Sequence, residues 1–271
     1  MRRTTAVFGS LVMLVLLAWQ GSAHAAPALP SSMASIGDSI TRAYNVCCLY
    51  GDQPGSSWST GGTGGDGVSS QYERIGSLNS SISRRNYNVA VTGARMSAGP
   101  SQARNAVKQK VQYVTFELGA NDLCTTSPST MTSISTFQDQ TRQTLATLFA
   151  GLPAQANVSV SSIPDVYQLW QLFHTSPAAQ SVWLTANICQ SLLSPNRTET
   201  DRQLVRQRII DFTSVLAQEC AAYTRCKFDG NAVFNYGFTP DNVSQLDYFH
   251  PSLGGQAALA RVSWDSSWWA A

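Results

Sequence analysis

Four strand-length apolar runs, Met33–Ile36, Tyr87–Val91, Tyr113–Leu118 and Val158–Ile163, alternate with longer stretches of helical periodicity. Most stop at punctuation: Gly37, Gly93, Gly119 and Pro164. Strands that are apolar along their whole length are buried on both faces, and strands separated by helices run parallel. The pattern therefore predicts an α/β chain, a parallel sheet with helices on each side. Helical spacing covers Val68–Leu78, Ser101–Lys110, Thr130–Leu148 and Ala178–Leu192. It is clearest over Thr198–Tyr223, where Leu204, Ile209, Phe212, Leu216 and Cys220 recur on one face. Gly51–Gly67, with seven glycines, reads as a loop bordering a cleft.

In such sheets ligands sit beyond the carboxyl ends of the strands. Ser39, Gly93 and Asn121 each follow a strand, so three strands bring a hydroxyl, a glycine backbone and a carboxamide to one rim. The stretch after Gly-Asp-Ser predicts a helix whose positive end faces that rim. A serine at such a corner is either a helix cap or a nucleophile, and the local sequence does not separate the two. Near the other end, Asp247 and His250 share one loop, and Pro251-Ser252 opens a final helix. The other histidines are His24 and His174, which leaves His250 the better placed base for Ser39. Asp38 and Asp122 read as braces of their turns. Trp264, Trp268 and Trp269 read as core packing.

Residues 1–25 hold Arg2 and Arg3, an apolar run from Ala6 to Trp19 and then Ala23-His24-Ala25, the layout of a cleaved secretory leader. The run is shorter than the roughly 20 residues a membrane span needs. The reading is a secreted protein without stable membrane insertion, with one domain over residues 26–271. Removing the leader lowers Lys+Arg from 18 to 16 against 16 Asp+Glu, so the remaining chain is near neutral. Bulk electrostatics then give no reason to expect a nucleic-acid partner. Six cysteines in an exported chain predict disulfides. Cys220 with Cys226 closes a short loop at a helix end, and Cys124 with Cys189 is the second candidate pair. Cys47 and Cys48 then form a vicinal bridge or stay free. No cysteine or histidine spacing suggests a structural zinc.

Four blocks, GDSIT (37–41), the glycine of AVTGARM (90–96), GAND (119–122) and DYFHPS (247–252), occur in this order across the chain. Singly they are weak; together, with Asp-x-x-His near the C-terminus, the chain resembles the SGNH or GDSL superfamily of esterases and lipases. Within it the chain is most similar to secreted single-domain members of actinobacteria. Ile40 stands where the family name implies leucine. The resemblance implies a flavodoxin-like three-layer α/β/α fold and serine ester hydrolysis without a metal or cofactor. Ser39 is then the nucleophile, His250 its base and Asp247 the residue orienting the imidazole, unless a backbone carbonyl does so. The amides of Ser39 and Gly93 and the carboxamide of Asn121 form the oxyanion hole. The apolar segment Pro164–Phe173 favours lipid or phospholipid acyl esters. A monomer is expected. Carbohydrate O-acetyl esters, or a non-catalytic binding role, are the alternatives.

Overall fold

The structure, a computed structural model, describes residues 26–270; the leader expected over residues 1–25 lies outside the described residues. Met33–Gly37 forms β1, and all five of its residues are buried. It pairs in parallel with both β2 (Asn86–Asn88) and β3 (Tyr113–Glu117). The ladder continues in parallel to β4 (Asn157–Val160) and β5 (Cys226–Phe228). The strand order is β2-β1-β3-β4-β5. This is the flavodoxin-like order, whose reversal point lies at β1 and β3.

Side chains alternate across each strand and so address two layers. On one side α2 (Gly99–Lys108), α4 (Ile134–Gly151) and α7 (Glu199–Ala221) pack side by side, α2 on β1 and α7 on β4 and β5. Phe137 of α4 stacks on Phe212 of α7 with ring centroids 3.9 Å apart. On the other side α1 (Gln71–Leu78) and α8 (Leu253–Asp265) join β1 and β3 through a buried cluster of Met33, Ile75, Ile82, Tyr113 and Trp264. Trp268 and Trp269 pack against this cluster. The architecture is the expected three-layer α/β/α sandwich.

The differences from the sequence reading have local causes. No helix follows Ser39; residues 39–45 form successive turns, with Ala43 and Asn45 at φ 49° and 54°. A helix cannot pass through two such left-handed residues. β2 begins and ends earlier than the apolar run, although Val89 and Val91 still donate to Ser35 O and Gly37 O. Strand β5 was not expected, because Cys-Lys-Phe offers no apolar run. Part of the Gly51–Gly67 loop is core: Trp58 is 2% exposed, and Ser59 Oγ lies 2.5 Å from Thr115 Oγ1 of β3. The helix expected over 178–192 is α6 (Pro177–Thr185), which gives way to turns with Asn187 and Cys189 at positive φ. The segment after Pro164 forms α5 (Tyr167–Phe173). On α7 the buried face carries Val205, while Leu204 is 55% exposed.

Cys124 is joined to Cys189 across a separation of 65 residues, and Cys220 to Cys226 across 6, while Cys47 and Cys48 are free thiols. The longer bridge is reinforced by hydrogen bonds, Ser191 N to Thr125 O and Ser191 Oγ to Leu123 O, each 2.7 Å. Closing the longer loop restricts the unfolded chain more, by about 4 kcal/mol against about 2 kcal/mol on the loop-entropy model. Denaturant unfolding should therefore show the Cys124→Ala/Cys189→Ala variant losing clearly more stability than Cys220→Ala/Cys226→Ala. Equal losses would rule out loop closure as the source.

Candidate active site

The rim at the carboxyl ends of β1 and β3 begins with a tightly specified glycine. A Cβ on Gly37 would meet Thr41 Oγ1 at 2.3 Å and Glu117 O at 2.7 Å, so no other residue fits between strand and turn. The Gly37 peptide is capped from α2 by Gln102, whose Oε1 accepts from Gly37 N at 2.8 Å and whose Nε2 donates to Gly37 O at 2.9 Å. The chain then turns sharply: Arg42 N donates to Asp38 O and Tyr44 N to Ser39 O, each at 3.0 Å. Ser39 stands at the head of this turn, 5% exposed.

The loop preceding α8 delivers the other partners. Ser39 Oγ lies 2.8 Å from His250 Nε2, and His250 Nδ1 lies 2.7 Å from Asp247 Oδ2. Asp247 Oδ1 accepts from the amides of Phe249 and His250, each at 2.9 Å, so the Asp-x-x-His spacing closes a compact loop on its own carboxylate. Tyr44 and Phe249 flank the imidazole, with ring centroids 4.9 and 5.0 Å away. Ser252 caps α8 by accepting from Gly255 N. Burial pushes Asp247 up, but the hydrogen bonds and charge of His250, with a further bond from Asn45, hold its carboxyl below the ordinary 3.8. It is a charged carboxylate at neutral pH.

Gly93 and Asn121 reach the same rim. Gly93 adopts φ 77°, which suits glycine, just past the bond from Val91 N to Gly37 O. Among the described residues neither the Ser39 nor the Gly93 amide has an acceptor. Asn121 lies on the short helix α3 (Ala120–Leu123). Its Nδ2 donates to Asp38 Oδ2 at 3.2 Å and to Ala94 O at 3.1 Å, tying the serine turn to the Gly93 loop. Asp122 accepts from Met96 N at 2.7 Å and Thr132 Oγ1 at 2.8 Å, the brace expected of it.

The remaining buried carboxyls behave differently from Asp247. Burial raises Asp38 to about 6 against the opposing bond from Ile40 N and the charge of His250. Burial also pushes Glu117 well above its ordinary 4.5, with the charge of Asp38 adding to the effect. Glu117 Oε2 has one weak donor, Thr41 Oγ1 at 3.4 Å, and its Oε1 has no partner.

A small apolar pocket of about 40 Å³ lies next to the site. Its walls include Ile40, Phe249 and Pro251, the chain neighbours of Ser39 and His250, and Pro164, Val166 and Leu169 of the segment after β4. His174 is exposed and bonds through Nδ1 to Trp170 O, apart from this site. The sequence reading did not pick out Asn45, Tyr44 or Gln102, which act through tertiary contacts. For Asn45, the readiness of asparagine to enter the left-handed region was the available signal.

A profile of the GDSL-like lipase/acylhydrolase family matches residues 33–262. Mouse membrane-associated phospholipase B1 is 24% identical over 218 residues, 69% of this chain, and the match spans 15% of that protein's length. In fold the chain is similar to an alpha/beta hydrolase enzyme from the metagenome of Lake Arreo, Spain, with a TM-score of 0.52 and 15% identity over 87% of this chain and 94% of that one. An acetyl xylan esterase superposes with a TM-score of 0.51 and 12% identity, over 86% of this chain and 98% of the other. The chain belongs to the GDSL-like lipase/acylhydrolase family, also called SGNH hydrolases.

The raised carboxyl of Glu117 has a measurable consequence. Folded Glu117 keeps its proton to a higher pH than the unfolded chain does, so the native state loses stability as pH rises above 4.5. Glu117→Gln removes that loss. The Tm of the variant relative to wild type should rise steadily as pH is taken from 4.5 to neutrality. A Tm difference independent of pH would mean that Glu117 is ionised in the folded protein.

Proposed function

We propose that this chain is an exported serine hydrolase of lipid acyl esters, phospholipids included, working through an acyl-enzyme. The observation that carries the mechanism is the continuous relay of Ser39 Oγ, His250 and Asp247, with contacts of 2.8 and 2.7 Å. Ser39 Oγ attacks the ester carbonyl as its proton passes to His250 Nε2. Asp247, held charged, keeps Nδ1 protonated and stabilises the imidazolium. His250 returns the proton to the departing alcohol, and water then repeats the sequence to free the acid. The unpartnered amides of Ser39 and Gly93 point to a hole for the tetrahedral oxyanion. Asn121 adds a third donor by diverting an N–H from Asp38 or Ala94 O.

The mainly aliphatic and aromatic surface formed by the chain neighbours of Ser39 and His250 favours an acyl chain over a sugar ring. The leader pattern of residues 1–25 and the two disulfides favour export. No helix among the described residues is long and apolar enough to cross a membrane.

A fluorophosphonate should label Ser39, and Ser39→Ala should abolish both labelling and hydrolysis with an unchanged circular dichroism spectrum. Full activity in a folded Ser39→Ala protein would end the mechanism. A panel from acetyl to palmitoyl esters with phosphatidylcholine should favour the longer chains; activity confined to acetylated sugars would replace the substrate reading with a carbohydrate O-acetylesterase. Asn121→Ala should lower kcat on one soluble ester by about 100- to 1,000-fold and alter KM much less, because an oxyanion donor acts on the transition state. If kcat stays near wild type, Asn121 is only the brace between Asp38 and Ala94.

A further inference from the structure

Asp247 Oδ2 receives two side-chain donors, His250 Nδ1 and Asn45 Nδ2, each at 2.7 Å. The first belongs to the relay; the second has no part in it. Asn45 is 4% exposed and stands 202 residues before Asp247. It is itself fixed at its other polar atoms. Gly51 N donates to its Oδ1 at 2.8 Å, its own N donates to Gly51 O at 2.9 Å, and the Ser244 hydroxyl donates to its carbonyl at 2.5 Å. Ser244 in turn donates its amide to His250 O at 2.8 Å. One residue therefore holds the Asp247–His250 loop at two points, the carboxylate and the backbone.

We propose that Asn45 is a positioning residue of the ester-hydrolysing site, fixing the Asp247 carboxylate so that His250 presents Nε2 to Ser39. This rests on the relay reading above. The terminal torsion of an aspartate is soft and roughly two-fold. The two amides on Oδ1 restrain that torsion from one side, and Asn45 restrains the oxygen that faces the imidazole. A buried carboxylate also needs donors to stay charged, and Nδ2 is a donor that no bound substrate has to displace. Its loss would leave Oδ2 with the imidazole alone, and a small swing there displaces Nε2 from Ser39.

Two variants test this. Asn45→Gly removes the side chain and accepts the φ of 54° without strain. Asn45→Asp keeps an acceptor for the Gly51 amide and replaces only the donor facing Asp247. Asn45→Gly should lower kcat on a soluble ester on the order of 10-fold or more, the scale of a misplaced catalytic group, with KM within about twofold. Asn45→Asp should lower kcat as well, and should move the acid limb of the kcat/KM profile to higher pH, because added negative charge beside Asp247 favours the imidazolium. A purely structural Asn45 would lower Tm without moving that limb. Should Asn45→Gly fail to fold, Asn45→Asp carries the test. An Asn45→Asp enzyme with wild-type kcat and pH profile overturns the positioning role while leaving the hydrolase reading intact. A wild-type protein that neither hydrolyses esters nor reacts with a fluorophosphonate overturns both.

Discussion

The structure depends on β1 having a parallel neighbour on each side. Hydrogen bonding to both β2 and β3 fills its ladder, so its carboxyl end opens between two loops rather than at an edge. The strand order reverses there, and successive crossovers leave toward opposite layers, parting the helices above the sheet. Ser39, Gly93 and Asn121 meet because each follows a strand that ends at this point. Gln102 from one layer caps the Gly37 peptide, and Gln256 from the other donates to Ile40 O at 2.8 Å. The serine turn is clamped from both layers and needs no helix of its own.

Around that turn the protein buries four carboxyls, Asp38, Glu117, Asp122 and Asp247, and treats them unequally. The number and quality of donors decide which one carries charge. Asp247 accepts four hydrogen bonds within 2.9 Å and is pushed below its ordinary value despite its burial. Glu117 has one long contact and is pushed well above. Burial pushes Glu117 and Asp38 up while Asp247 is held down, so ionisation is favoured on the carboxylate bonded to His250 Nδ1, where an imidazolium proton needs it. A uniformly ionised cluster would offer the imidazole several competing partners.

Much of this was legible in the sequence because buried parallel strands leave continuous apolar runs. β1 and β3 could be read that way almost to the residue. β5 could not, since a three-residue strand at the sheet edge owes its conformation to β4 rather than to its own side chains. The residues nominated for the site were legible because a strand end fixes where a side chain can be, and the Asp-x-x-His spacing fixes a loop. The turn after Ser39 misled for the opposite reason. Its residues suit a helix locally, and the left-handed conformation of Asn45 is fixed by Gly51 and Asp247, partners that short-range pattern does not reveal.

Ser39 and His250 are 211 residues apart, and the loop carrying His250 is fastened by α8 behind it. A chain emerging from the ribosome has therefore made its proposed nucleophile long before the group that activates it exists. Contacts of such long sequence separation also form late in folding. On the mechanism proposed here, nascent and truncated chains are chemically silent, and hydrolytic power arrives only with the finished fold. On that same proposal, the connectivity does what a removable inhibitory segment does elsewhere: it withholds the chemistry until synthesis is over.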